Sequence, residues 1–385
     1  MKIGLNAISF VPGTFGGMET YFRNLLDRLQ SIDCDNSYTV LCDERFAGEF
    51  SLFNDAFRVE RVNYAKPSFN WFLRGVLRNT VNIDILARRM NGLAVDVIHH
   101  PFTVLTPPEI RIPSVLTFWD MQQEFFPEFF SRVELAKRKR LYRASAEAAT
   151  RIIVSAQFTK NCLVERYEIE ADKIEVIYTG YGPEYKVLDN ERLAEVRSKY
   201  ILNQPFLFYP AATWPHKNHK SLLVALKIMI DRYFFDGELV LTGIAMQSHD
   251  DIISEINRLD LRGKVKVLGY LPAGELPCIY NLARMLVFPS LFEGFGIPLV
   301  EAMACGCPVV CSNVASLPEV LGDAGVMFDP GEPEQIAETV WSVWSDEVKR
   351  REMRERGFVR ASFFNWEETA RKTIEVYCKV GSAKA

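Results

Sequence analysis

The chain has 385 residues, 48% of them hydrophobic, with 45 basic against 49 acidic side chains and a net charge of −4. That length exceeds what one hydrophobic core usually organises, so two domains are expected, and the apolar content argues against extensive disorder. The mildly acidic balance gives no basis for nucleic acid as a partner.

The first residues, Met1-Lys2-Ile3-Gly4-Leu5-Asn6-Ala7, hold too short an apolar run for a signal peptide and read as a strand. Nowhere does an apolar run of membrane-spanning length occur, so a cytoplasmic protein is expected. Short apolar runs then alternate with helical patterns. Strands are predicted at Lys2–Asn6, Tyr38–Cys42, Val97–His99, Ser114–Thr117, Arg151–Val154 and Ile174–Ile177. A second set follows at Phe206–Tyr209, Glu238–Thr242, Val265–Leu268, Met285–Phe288, Pro308–Cys311 and Gly325–Phe328. Two such series predict an α/β protein with two Rossmann-like, doubly wound domains. The pattern breaks at Gly180, Gly182 and Pro183, which places the domains at 1–183 and 184–363. The segment 364–385 reads as an amphipathic helix capped by Asn365. Cys305, Cys307 and Cys311 read as small core residues of a reduced protein rather than as a metal site.

Several segments between these elements carry chemistry. Gly16-Gly17-Met18-Glu19 follows the first strand and opens a helix, and paired glycines there let backbone approach a bound group. Glu19 reads as a capping or packing residue. His99 and His100 end a strand and face opposite ways, so one of them at most, taken as His100, meets a ligand. In Thr117-Phe118-Trp119-Asp120, at the end of a strand, tryptophan offers an aromatic face but cannot move a proton, so any acid–base role passes to Asp120 or lapses. The competing reading has Trp119 in the core and Asp120 capping a helix. Two basic segments, one with the aromatics Phe69, Trp71 and Phe72 and one from Arg132 to Arg151, could lie on an anionic membrane or be solvated faces. Thr213-Trp214-Pro215-His216-Lys217 follows the first strand of the second domain, where Lys217 could neutralise negative charge that develops on a bound group. Gly269-Tyr270-Leu271-Pro272 follows a later strand, and Ser316 reads as a helix cap.

The most informative stretch is Phe292-Glu293-Gly294-Phe295-Gly296-Ile297-Pro298-Leu299-Val300-Glu301-Ala302. It reads as strand end, glycine turn and helix start, with Pro298 near the first helical position. Such a turn aims backbone N–H groups and a helix N-terminus at one point, a seat for an anion. Glu293 lies on the loop and Glu301 about one turn into the helix. Carboxylates accept hydrogen bonds from hydroxyls. A ligand with both phosphates and hydroxyls is therefore expected, which means a nucleotide sugar.

This stretch resembles the paired-glutamate signature of the retaining glycosyltransferases of family 4. The resemblance implies the GT-B fold, two Rossmann-like domains facing a central cleft, with the final helix crossing back onto the first domain. It implies that Glu301 binds the nucleotide ribose and that Glu293 lies near the donor sugar and its phosphate. Lys217 takes the lysine position of the family's Arg-x4-Lys element, while the arginine position holds Ala212. His216, His219 or a distant arginine is left to compensate. Trp119 stands where the family's Thr-x-His-Asp segment carries histidine. The Gly16-Gly17 loop is implied to lie against donor phosphates and acceptor, and the segment around Tyr270 against the nucleobase.

The expected activity is transfer of a hexose, mannose or a relative of it, from a nucleoside diphosphate sugar to a hydroxyl of a glycan or lipid-linked acceptor, with retention. The expected sites are Lys217, Glu293 and Asp120 as catalytic residues. Gly16, Gly17, Trp119, His216, Tyr270, Gly294, Phe295, Gly296 and Glu301 are expected at the donor, and His100 on the acceptor side. No metal or other cofactor is implied, because lysine and backbone dipoles supply the positive charge. The rival functions are an idle nucleotide-sugar-binding protein, favoured by Trp119 and Ala212, and another GT-B enzyme acting on nucleotide sugars.

Overall fold

Seven parallel strands build the first sheet: β1 (Lys2–Ala7), β2 (Ser37–Asp43), β3 (Phe57–Val62), β4 (Val97–His100), β5 (Ser114–Phe118), β6 (Arg151–Val154) and β7 (Ile174–Val176). The computed structural model describes residues 1–13, 16–64, 68–81, 83–272 and 274–382. The strand order is β3-β2-β1-β4-β5-β6-β7. Ile3, Leu5, Val40, Val97, Val115 and Ile152 are fully buried because helices cover both faces of the sheet. β3 is an addition to the expected set. It lies at the sheet edge and pairs with β2 from Phe57↔Tyr38 to Val62↔Asp43.

A second all-parallel sheet is built from β8 (Phe206–Pro210), β9 (Glu238–Thr242), β10 (Val265–Gly269), β11 (Met285–Phe288), β12 (Val309–Ser312) and β13 (Val326–Phe328). Its order is β10-β9-β8-β11-β12-β13. Leu207, Phe208, Val240, Leu286, Val287 and Val310 have no exposed surface. Cys305, Cys307 and Cys311 are buried free thiols.

The chain divides into two compact units, Met1–Gly180 with Asn365–Ala385, and Tyr181–Phe364. The last helix, Trp366–Ser382, belongs to the first unit; residues 383–385 of the expected helix lie outside the described residues. The Asn365 side chain accepts from the Glu368 N–H at 2.8 Å, the expected cap. Trp366, Ala370, Tyr377 and Val380 of this helix join the core beneath the helix Gly17–Ile32. Thr369 donates to the Tyr178 carbonyl at 2.7 Å, and Lys379 pairs with Glu175 at 2.7 Å. Gly180 tolerates no side chain there, since a Cβ would sit 2.4 Å from the Trp366 nitrogen. Among the described residues, no helix is long and apolar enough to cross a membrane.

Candidate functional site

In each sheet the chain starts in the middle and winds outward in both directions. In the second sheet β8 and β11 are the neighbours whose following loops diverge, and ligands of open α/β sheets bind at such a point. Lys217 lies on the loop after β8 and Glu293 on the loop after β11. The fold brings them together: Lys217 Nζ donates to Glu293 Oε1 at 2.6 Å, with the side chains 18% and 12% exposed. Phe288 presents its ring 5.7 Å from the same ammonium. The lysine loop is fixed from below. Buried Tyr209 donates to the Lys217 carbonyl at 2.7 Å, and Asn218, in the left-handed conformation at φ 57°, donates to the Pro289 and Pro330 carbonyls.

The loop after Glu293 is held by Ser316. The sequence suggested a helix cap, but its side chain caps nothing. Its hydroxyl lies 2.9 Å from the Glu293 and Phe295 carbonyl oxygens and donates there instead. Phe295 is buried against Phe364, ring centroids 5.7 Å apart. Gly296 precedes the helix Ile297–Ala304 at φ 104°, ψ 47°, a conformation that suits glycine. A Cβ there would also meet Leu317 Cδ2 at 2.7 Å. Gly296→Ala is therefore expected to lower stability by about 1–3 kcal/mol. Thermal denaturation checks this, and an unchanged melting temperature would show that the turn accommodates a side chain.

Glu301 lies on the second turn of that helix. Its carboxyl is largely removed from water, which raises its pKa from 4.5 to about 7 against the lowering effect of two tyrosine hydroxyls. Buried Tyr280 donates to Oε2 at 2.9 Å, and Tyr185 is the second. The Tyr185 and Tyr280 rings meet edge to face, 5.9 Å apart, and Tyr280 packs likewise on Phe208 at 5.1 Å. Sequence reading missed both tyrosines. They lie 116 (301 − 185) and 21 positions from Glu301, and no local pattern links them.

The expected compensation for Ala212 by histidine is not supported by charge. Burial lowers His216 and His219 to about 4, so both imidazoles are neutral near pH 7. His219 faces the core, its ring 4.8 Å from Tyr209. Lys217 is thus the cation of this loop. Tyr270 is 71% exposed.

In the first sheet the diverging neighbours are β1 and β4. Gly16 is the residue before the helix Gly17–Ile32 and has φ 52°, with open space where a Cβ would be. Glu19 accepts from the Gly13 N–H at 2.7 Å and pairs with Arg23 at 3.0 Å, a local structural role. His99 is fully engaged in the core, bonded to Tyr377 and to Thr117 at 2.7 Å each. His100 has one nitrogen on Asn6 at 3.0 Å, while its Nε2 is buried without a partner. Trp119 donates its indole N–H to the Pro101 carbonyl at 2.8 Å and packs edge-on against Tyr21, centroids 4.7 Å apart. That matches the core reading more closely than a free stacking platform. Asp120 accepts from the Gln122 N–H at 3.2 Å at the start of a short helix.

The helix Phe69–Val81 leaves Phe69, Phe72 and Val76 exposed. Its arginines are not offered freely: Arg74 forks onto buried Asp84, and Arg78 reaches Glu109 at 3.4 Å.

Comparison with known proteins agrees with this geometry. Residues 15–185 match the family described as Glycosyltransferase Family 4, and residues 193–360 match Glycosyl transferases group 1. The O-antigen chain mannosyltransferase B of Escherichia coli is 31% identical over 283 residues, covering 73% of this chain and 74% of that one. Among solved structures, sucrose-phosphate synthase of Thermosynechococcus elongatus superposes with a TM-score of 0.79 at 19% identity, over 100% of both chains. Alr3699/HepE of Anabaena, solved with UDP and glucose, superposes with a TM-score of 0.76 at 19% identity, over 98% of this chain and 100% of that one. These likenesses establish the fold as GT-B.

Proposed function

We infer the reaction from one premise: this chain belongs to the group 1 and family 4 glycosyltransferases. We propose that it moves a hexose from a nucleoside diphosphate sugar to a hydroxyl of a glycan or lipid-linked acceptor, with retention of configuration. Mannose is the favoured sugar, and surface polysaccharide the favoured product, because the E. coli relative is named an O-antigen chain mannosyltransferase.

The observation that carries the reading is the assembly at the end of β8 and β11. Lys217 pairs with Glu293, and the glycine turn that follows Glu293 opens the helix that carries Glu301, all within one unit. Each group has a task that follows from its chemistry. Lys217 has three ammonium hydrogens and spends one on Glu293, so others are available to a diphosphate whose charge grows as the sugar leaves. The N-terminus of the helix Ile297–Ala304 adds its partial positive charge. Glu301, when ionised, accepts ribose hydroxyls. Glu293 holds the lysine in place and is not cast as a nucleophile; departure and attack would share one face of the sugar. Because the protein supplies these positive groups itself, turnover is expected to persist in EDTA. Exposed Phe69, Phe72 and Val76 form an apolar edge suited to lying on a membrane that carries the acceptor.

The deciding experiment is a thermal-shift screen against GDP-, UDP-, ADP- and dTDP-sugars, with and without EDTA. Proton NMR of the product made from the stabilising donor follows. One stabilising nucleotide class and an axial-to-axial anomeric outcome are expected. Inversion would remove the retaining mechanism, and no shift with any donor would remove the donor site. Co-sedimentation with anionic vesicles tests the membrane contact, and binding unaltered by Phe72→Ser would exclude this helix.

A further inference from the structure

The turn that carries Glu293 is loose by composition. Glu293-Gly294-Phe295-Gly296 has a glycine at every second position, and glycine holds its backbone to no single conformation. The Lys217–Glu293 contact at 2.6 Å nevertheless requires one placement of Glu293. We propose that Ser316 is a positioning residue for the transfer reaction: its buried hydroxyl fixes this turn and so keeps Glu293 against Lys217. This rests on the transferase reading and adds to its machinery a residue that acts through others.

Ser316 has no exposed surface, and its hydroxyl lies 2.9 Å from the carbonyl oxygens of both Glu293 and Phe295. A hydroxyl has one hydrogen, so the two carbonyls share one donor and are drawn toward one point. Peptide units are planar. Holding the Glu293 oxygen therefore also fixes the plane that leads into Gly294, and holding the Phe295 oxygen fixes the plane that leads into Gly296. Both soft places of the turn are thereby clamped by a single side chain. Buried Tyr209 does the same on the lysine side, where its hydroxyl donates to the Lys217 carbonyl at 2.7 Å.

The clamp is itself anchored. Ser316 precedes the short helix Leu317–Leu321, whose Leu317, Val320 and Leu321 are fully buried. At the far end of that helix Arg360 donates to the Glu319 and Val320 carbonyls. The same guanidinium lies 5.0 Å from the ring of Phe364, which packs on Phe295. Ser316 and Phe364 thus reach the turn from two elements that Arg360 ties together. Ala315, immediately before the clamp, has φ 53°, a left-handed conformation that is unfavourable for alanine and persists where the surroundings over-determine it. Strain held next to Ser316 is what a precisely placed hydroxyl would require.

The test combines hydrogen exchange and kinetics on the full chain. Ser316→Ala removes one oxygen and adds no bulk, so the fold is expected to survive. Without any ligand, exchange of the peptide containing residues 289–299, read by mass spectrometry, should quicken about tenfold or more while peptides of the first unit stay as in wild type. Turnover should fall about ten- to a hundredfold in kcat, the scale of a misplaced reacting group. Donor KM should move less than kcat, because Lys217 acts on charge that grows during transfer. Ser316→Thr keeps the hydroxyl and should recover most of the protection and of the rate. In a Lys217→Ala background, Ser316→Ala should cost less than about threefold, since the cation it serves is already gone. An equal loss in both backgrounds overturns the positioning role, as does unchanged exchange of the turn. Should Ser316→Ala not fold, Ser316→Cys, with a weak donor of similar shape, carries the same measurements. A wild type that transfers no sugar from any donor would remove the transferase reading, and the exchange comparison would still decide whether Ser316 holds the turn.

Discussion

Lys217→Ala is expected to lower kcat on the order of 10²–10³-fold, the usual loss when one donor aimed at developing charge is removed. Lys217 Nζ sits 2.6 Å from Glu293 Oε1 with both side chains mostly covered, so its position is set before any ligand arrives. A preorganised cation avoids reorganisation at the moment the sugar–phosphate bond breaks. Neutral His216 and His219 cannot replace it near pH 7. The arginine position of the family's element is alanine here, so the whole charge burden at this loop falls on one ammonium. Lys217→Arg should recover only part of the rate, because a planar guanidinium would approach Glu293 and the diphosphate with a different geometry. The variant leaves the Glu293 carboxylate without its cation in a mostly covered place, so stability must be followed in parallel by thermal denaturation. A fall in kcat with a near-normal melting temperature is the expected result. An unaltered rate would place the diphosphate clamp elsewhere in the molecule.

Much of this was legible in the sequence, because doubly wound sheets write themselves as apolar runs separated by helices. All twelve expected strands appear, within one or two residues. β3 escaped because Phe57-Arg58-Val59-Glu60-Arg61-Val62 mixes three charged residues among its apolar ones and holds no continuous apolar run, as suits a strand at a sheet edge. The glycine turn with Glu293 and Glu301 was legible for a local reason: the strand, turn and helix are contiguous. What could not be read were partners distant in sequence. Tyr185 and Tyr280 define the environment of Glu301, and Asn6 bonds to His100, 94 residues away. Ser316 reads as a cap because serine commonly precedes a helix, yet its side chain makes no cap hydrogen bond. Its hydroxyl instead fastens a loop 21 to 23 residues upstream, a contact that only the β11–β12 pairing creates.

Glu301→Gln is expected to weaken donor binding by roughly ten- to a hundredfold at pH 8, since hydrogen bonds to a charged acceptor contribute about 1.5–3 kcal/mol. The pH dependence makes the assignment sharper. With the carboxyl titrating at about 7, wild-type donor affinity should fall as pH drops below that value, about tenfold per unit once the proton is on. The glutamine variant should show no such slope. Nucleoside diphosphate sugars suit this measurement because their diphosphate is esterified at both ends. Stability should move the other way. A carboxyl raised from 4.5 to about 7 holds its proton more tightly in the folded state. Its contribution is fully present below pH 4.5 and is lost as pH rises through about 7, amounting to about 3 kcal/mol. Relative to wild type, Glu301→Gln should therefore gain stability between pH 5 and pH 8. Buried His216 and His219 titrate in the lower part of this range with the opposite sign, so only the difference between the two proteins isolates Glu301. Tyr280→Phe supplies the cross-check: removing a hydroxyl that lowers the carboxyl pKa should move the midpoint of donor binding to higher pH. Calorimetric titration from pH 6 to 8 reads all three proteins. If wild-type affinity is flat across that range, the carboxylate does not receive the donor's hydroxyls. The cost of ionising it within the fold would then need another explanation.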